Sequence, residues 1–260
     1  MRRLLLAFTL LGPACGSDAT AAADCGDITG ELRTIAVDVE PIAPSGSEEA
    51  LLWLPACVDP DRLQIVMLMH GAGLKPATWF DEPVDAANVA ERLDRSDVDT
   101  AVLTPGGAGG NQLFVDHTLE PLLDAVGAEL GVLPPIVGIG GYSAGGPTLA
   151  RLAFGPDRIE VENVVVSAPV WAPQYTRWVE ANLADTSIRT LLLDAGANDG
   201  LGRSLAEIRE AALDSEASAE VLLERPPGGH NIAYLASRID VWLAVLAGVE
   251  LLDVIPPTAE

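Results

Sequence analysis

Short, almost continuously apolar runs recur along this chain, and between them the apolar residues return every three or four positions. Leu63–Met69 reads LQIVMLM and residues 163–168 read NVVVSA. A strand with one wet face alternates polar and apolar residues, so runs without a polar side suit parallel strands covered on both faces. Eight runs read as strands: Leu32–Val39, Ala50–Leu54, Leu63–Met69, Thr100–Leu103, Pro135–Gly140, Val161–Ser167, Arg189–Asp194 and Ala219–Glu224. Helical stripes fall between and after them. Leu119, Leu122, Leu123, Val126 and Leu130 form one, with Asp116 as its N-cap; Leu201, Leu205 and Ile208 form another; Leu235, Ile239, Trp242, Leu243 and Leu246 form the last. Strand alternating with helix predicts an α/β fold, a mostly parallel eight-stranded sheet with helices on both faces. At 260 residues the chain is long enough for one large, well-buried domain, expected over residues 31–250.

The two ends read differently. The opening MRRLLLAFTLLGPAC has two arginines, an apolar run too short to span a bilayer as a helix, and then small residues. Residues 1–23 therefore read as an export signal peptide, 24–30 as a tether and 251–260 as a C-terminal tail. Leu11-Gly12-Pro13-Ala14-Cys15 resembles a bacterial lipobox, which makes Cys15 a candidate lipid anchor; cleavage after Ala21-Ala22-Ala23 is the alternative. The expected location is thus the bacterial cell envelope or the extracellular space. In an oxidising compartment Cys25 and Cys57 form a candidate disulfide, worth about 3 kcal/mol for such a loop. The formal net charge of -23 argues against nucleic acid as a partner, because such a field repels polyanions.

Ligands of open α/β sheets meet the carboxyl ends of the strands, so the residues just after each strand carry the functional reading. Strand Pro135–Gly140 runs into Gly141-Tyr142-Ser143-Ala144-Gly145, with a helix expected from about Gly146. Such a turn lifts a serine hydroxyl above the sheet and makes Ser143 a candidate nucleophile. The chain offers three histidines as a base. His117 opens a helix and reads as a surface residue, and His70 reads as shaping the His-Gly-Ala-Gly loop. His230, in PPGGHN after the last strand, remains as the base. The acid that holds its tautomer is Asp199 in the DAGANDG loop, with Asp194 at the strand end as the alternative. The amide of Ala144 and that of Ala72, or of Gly73 next to it, are the expected oxyanion donors. Each is worth about 3 kcal/mol of transition-state stabilisation.

With the order Ser143, Asp199, His230 in place, the chain resembles the α/β-hydrolases, and within them a group of secreted esterases. That group includes feruloyl esterases, acetyl xylan esterases and polyhydroxyalkanoate depolymerases. The matching segments are LLWLPACVDPDRLQIVMLMHGAG, LFVDHTLEPLLDAV ahead of GIGGYSAGG, LLLDAGANDG and ERPPGGHN, spread over residues 50–235. After GGHN comes Ile232-Ala233-Tyr234, where these esterases commonly continue with tryptophans. The resemblance implies an α/β-hydrolase fold and cleavage of a small-molecule or polysaccharide-linked ester through an acyl-enzyme. It implies no metal and no organic cofactor. Acyl transfer or peptide cleavage on the same triad, and a non-catalytic envelope binding protein with this fold, are the competing readings. Trp79, Phe80, Trp171, Tyr175 and Trp178 are read equally as pocket lining and as core.

Overall fold

The apolar runs become the middle of one sheet. The computed structural model describes residues 30–37, 49–56, 58–59, 61–93, 99–106, 119–156 and 158–249. Its strands are β1 (Glu31–Ala36), β2 (Glu49–Leu54), β3 (Leu63–Met69), β4 (Asp99–Thr104), β5 (Ile136–Tyr142), β6 (Asn163–Ser167), β7 (Thr190–Asp194) and β8 (Glu220–Glu224). They lie in the order β1-β2-β4-β3-β5-β6-β7-β8. From β4 to β8 every neighbour pair is parallel, whereas β2 runs antiparallel to both β1 and β4. Strands β3, β4, β6 and β7 keep nearly every residue out of water, including the polar Asp99, Thr100 and Thr104 of β4.

The helices are α1 (Ala86–Leu93), α2 (Leu119–Leu130), α3 (Gly146–Phe154), α4 (Pro173–Asn182), α5 (Ser204–Asp214) and α6 (Ile232–Ala247). Successive residues of a strand face opposite sides of a sheet, and β5 shows which helix covers which. A side chain at Gly138 or Gly140 would meet Leu246 of α6, while one at Gly141 would meet Leu149 of α3. Helices therefore pack on both faces, with β5 sandwiched between α6 and α3. The approach at Gly138 is closest: a Cβ there would lie 2.3 Å from the Leu246 carbonyl oxygen, which is backbone and cannot rotate away. Gly138→Ala is expected to destabilise the protein by about 3 kcal/mol, read from urea unfolding midpoints. An unchanged midpoint would mean that α6 does not ride directly on β5.

Several boundaries differ from the sequence reading. β6 starts at Asn163, because Val161 and Glu162 are an approach in which the Glu162 amide bonds to the Val137 carbonyl at 2.9 Å. β5 continues two residues past Gly140 to Tyr142, so the strand delivers Ser143 directly. Leu201 does not share the core stripe of Leu205 and Ile208. It sits in a 3-10 turn, Gly200–Arg203, and is 38% exposed. Helices α1 and α4 are not evident from periodicity. In α4, Pro173 reads as a breaker, yet it occupies the first turn, where a missing N–H costs nothing. The leader, Cys15, Cys25, Cys57, Asp116, His117 and the tail 251–260 lie outside the described residues. Among the described residues no helix is long and apolar enough to cross a membrane.

Candidate active site

Ser143 stands where β5 ends and a 3-10 turn, Ser143–Gly145, leads into α3. Its φ is 53°, a left-handed conformation that costs a non-glycine residue about 1–3 kcal/mol. Neighbouring backbone holds it there. The Ser143 carbonyl accepts the Val170 amide at 2.8 Å, from the loop after β6. The flanking glycines are required by close packing: a Cβ on Gly145 would lie 2.7 Å from the Met69 carbonyl oxygen, and one on Gly141 would lie 3.0 Å from the Gly145 oxygen. The serine is thus clamped, strained and 8% exposed.

The loops after β7 and β8 bring the other two residues to it. His230 Nε2 lies 2.9 Å from Ser143 Oγ, and His230 Nδ1 lies 2.8 Å from Asp199 Oδ2. Asp199 Oδ1 accepts the Leu201 amide at 2.9 Å, which caps the 3-10 turn and fixes the carboxylate plane. The Asp199 side chain is 1% exposed and that of His230 is 36% exposed. One end of the hydrogen-bonded line is dry and the other reaches solvent.

Backbone contact between the two loops sets this registration. The Asn198 amide donates to the Gly228 carbonyl at 3.0 Å, and the Ala197 amide to the Pro226 carbonyl at 2.8 Å. A Cβ on Gly196 would lie 2.5 Å from Gly228 backbone atoms, and Gly228 itself has φ 149° with Tyr234 against it. Arg225 closes the arrangement. Its guanidinium donates to the carbonyls of Gly202 at 3.0 Å, Gly196 at 3.1 Å and Ala197 at 3.3 Å, all in the Asp199 loop.

Asp194, the alternative acid, is committed elsewhere. Its side chain is fully buried, and three residues of α6 spaced four apart converge on it. Tyr234 Oη and Trp242 Nε1 each donate to Oδ2 at 2.8 Å, and Arg238 Nε donates to Oδ1 at 3.2 Å. Arg238 also pairs with Glu224. Burial pushes the Asp194 carboxyl above the ordinary range, against the opposing pull of Arg238, Tyr234 and Trp242. The role of this carboxylate is to dock α6 on the end of β7.

The loop after β3 closes over the serine. A Cβ on Gly71 would stand 3.1 Å from Ser143 Cβ, a tight contact that brings this loop directly against the serine. The turn that follows is tied by the Leu74 amide to the Gly71 carbonyl at 3.2 Å, and Ala72 is its exposed corner. Ala144 follows Ser143 in the 3-10 turn. Ala72 thus follows the glycine that packs on Ser143, and Ala144 follows Ser143 itself. His70 is buried at 2% exposure, with Nδ1 3.0 Å from the Gly71 carbonyl, as befits a loop-shaping residue. Of the aromatic residues, Trp79 and Tyr175 are core, whereas Phe80, Trp171 and Trp178 are partly buried against it. Among the described residues no cluster of metal-ligating side chains is present.

Three contributors escaped the sequence reading. Tyr142 acts through ring packing, Arg225 through backbone carbonyls, and the Tyr234–Arg238–Trp242 row through hydrogen bonds to the Asp194 carboxylate. The only sequence signal was polar-tipped residues four apart on the last helical stripe.

No family model and no curated protein sequence matches the chain. Solved structures match its fold. A ferulic acid esterase superposes with a TM-score of 0.63 at 14% identity, covering 86% of this chain and 100% of its own. An S-formylglutathione hydrolase from Agrobacterium tumefaciens gives 0.60 at 15% identity, covering 84% and 94%. A fluorophosphonate-binding serine hydrolase of Staphylococcus aureus gives 0.62 at 16% identity, covering 84% and 99%. The chain has the α/β-hydrolase fold, and the esterase resemblance of its sequence has a structural counterpart in these neighbours.

Proposed function

We propose that this chain is an exported serine hydrolase that cleaves carboxylic esters through an acyl-enzyme. The observation that carries the proposal is the unbroken line from Ser143 Oγ through His230 to Asp199, at 2.9 and 2.8 Å, built on a serine held at φ 53°. Strain is retained at a position only when the surroundings over-determine it, and such positions cluster at functional sites.

The chemistry follows from the geometry. Ser143 Oγ attacks the ester carbonyl carbon as its proton passes to His230 Nε2. Asp199, bonded to Nδ1–H, holds the ring's tautomer and stabilises the imidazolium. The Ala144 and Ala72 amides take the oxyanion. Collapse of the tetrahedral intermediate breaks the carbon–oxygen bond, and His230 returns its proton to the leaving alcohol. Water, deprotonated by His230, then releases the acid and restores Ser143. A chain of net charge -23 disfavours anionic esters as substrates.

Purified protein is expected to hydrolyse p-nitrophenyl acetate and butyrate, and a fluorophosphonate probe is expected to label the peptide carrying Ser143. Absence of both turnover and labelling would remove the reading and favour a binding role on this fold. Export rests on the leader: the mature N terminus is expected at lipid-modified Cys15 or at Asp24, read by intact mass. An unprocessed Met1 would exclude it.

A further inference from the structure

The two hydrogen bonds of His230 both lie in the plane of its ring. They fix which nitrogen faces which partner, but they resist rocking of the ring about the Nδ1–Nε2 line only weakly. The backbone fixes the course of the loop through the Asn198–Gly228 and Ala197–Pro226 hydrogen bonds, but not the tilt of the ring. His230 follows Gly228 and Gly229, and 36% of its side chain faces water. Something must support one face of the imidazole if Nε2 is to stay on Ser143.

The Tyr142 ring does so. It lies nearly parallel to the His230 ring, with centroids 4.7 Å apart and planes 17° from parallel, the spacing of an offset stack. Tyr142 is itself immobile. It is the last residue of β5, 4% exposed, with Trp242 tilted behind it at 6.4 Å. Gly71 crowds it from the other side, since a Cβ there would lie 3.2 Å from Tyr142 Cδ1. The hydroxyl plays no visible part in this. It is buried without a hydrogen-bond partner among the described residues, and burial, followed by the Asp199 charge, pushes its ionisation up, so it stays a neutral phenol.

We propose that Tyr142 is the positioning residue for His230, its ring serving as the platform that holds the imidazole plane in line with Ser143 Oγ and Asp199. The inference rests on the reading of Ser143 and His230 as nucleophile and base. One peptide bond joins platform to nucleophile, so β5 places both together and the loop after β8 needs only to lay its histidine on a prepared surface. When the ring becomes an imidazolium in the transition state, it does so against the electron-rich face of the phenol, which favours the cation.

The test separates ring from hydroxyl. Tyr142→Leu, which keeps the volume apolar but removes the stack, is expected to lower kcat about tenfold with KM changed less than about twofold. Tyr142→Phe is expected to recover most of that loss. NMR supplies a readout that a general loss of packing would not mimic. The His230 ring protons, assigned by their absence in His230→Gln, are expected upfield of a random-coil histidine in wild type and Tyr142→Phe, and further downfield in Tyr142→Leu. Wild-type kcat in Tyr142→Leu, an equal loss in Tyr142→Phe, or random-coil shifts in the wild type would each overturn the proposal. The wild-type shift needs neither a variant nor a substrate, so it decides the matter even if Tyr142→Leu fails to fold. A protein without esterase activity but with the upfield shift would refute the function and leave the stack. Activity with random-coil shifts would do the reverse.

Discussion

Ser143→Ala is expected to lower kcat for p-nitrophenyl esters by about 10⁵- to 10⁶-fold, since no partial triad remains once the nucleophile is gone. A residual acceleration of about 10³-fold over water is expected from the amides and binding surfaces that the substitution leaves in place. Fluorophosphonate labelling is expected to vanish in parallel. Stability should not follow activity. Ser143 is at φ 53°, where alanine is disfavoured as well, so Ser143→Ala is expected to unfold within about 1 kcal/mol of wild type. Ser143→Gly removes the same hydroxyl and relieves the strain, and should be more stable than Ser143→Ala by about 1 kcal/mol. Turnover within about tenfold of wild type in either variant would remove Ser143 from the mechanism. A glycine variant no more stable than the alanine one would show that the elbow stores no strain.

What was readable in the sequence, and what was not, divides along a physical line. The central strands were readable because their residues lack a polar face, a signature that survives without any tertiary information. The positions of Ser143, Asp199 and His230 were readable because each falls beyond the carboxyl end of a strand, Ser143 directly after β5 and the other two in the loops after β7 and β8. Platform, clamp and dock were not. Tyr142 reads as an ordinary strand-end residue between Gly141 and Ser143, because a stack depends on where the loop after β8 lands. Arg225 donates only to carbonyls, and backbone acceptors leave no pattern in side-chain identities. Leu201 matched a helical stripe by spacing alone, yet the Asp199 carboxylate caps the Leu201 amide and sets up a 3-10 turn that breaks the period. Local hydrogen bonding outcompeted periodicity there.

The choice between the two carboxylates yields the second large effect. Asp199→Asn should keep the fold and lower kcat by about 10⁴-fold, because an amide facing Nδ1 favours the wrong tautomer and offers the imidazolium no countercharge. Its own partner is retained, as the asparagine oxygen can still accept the Leu201 amide. Asp194→Asn should show the opposite pattern. Its two oxygens accept from Tyr234, Trp242 and Arg238, and an amide must turn N–H₂ towards at least one of those donors. Arg238 also loses a buried counter-charge and keeps only Glu224. Together these are expected to cost about 3 kcal/mol of stability, read by urea unfolding, with kcat at moderate temperature within a few-fold of wild type. Intermediate losses of activity in both variants would indicate that docking of α6 and orientation of His230 are coupled through Tyr234, which packs against Gly228 two residues before the histidine. Loss of activity in Asp194→Asn with an active, stable Asp199→Asn would transfer the acid role to Asp194. That outcome would require the carboxylate to leave all three of its α6 donors and reach a histidine already held by its neighbour.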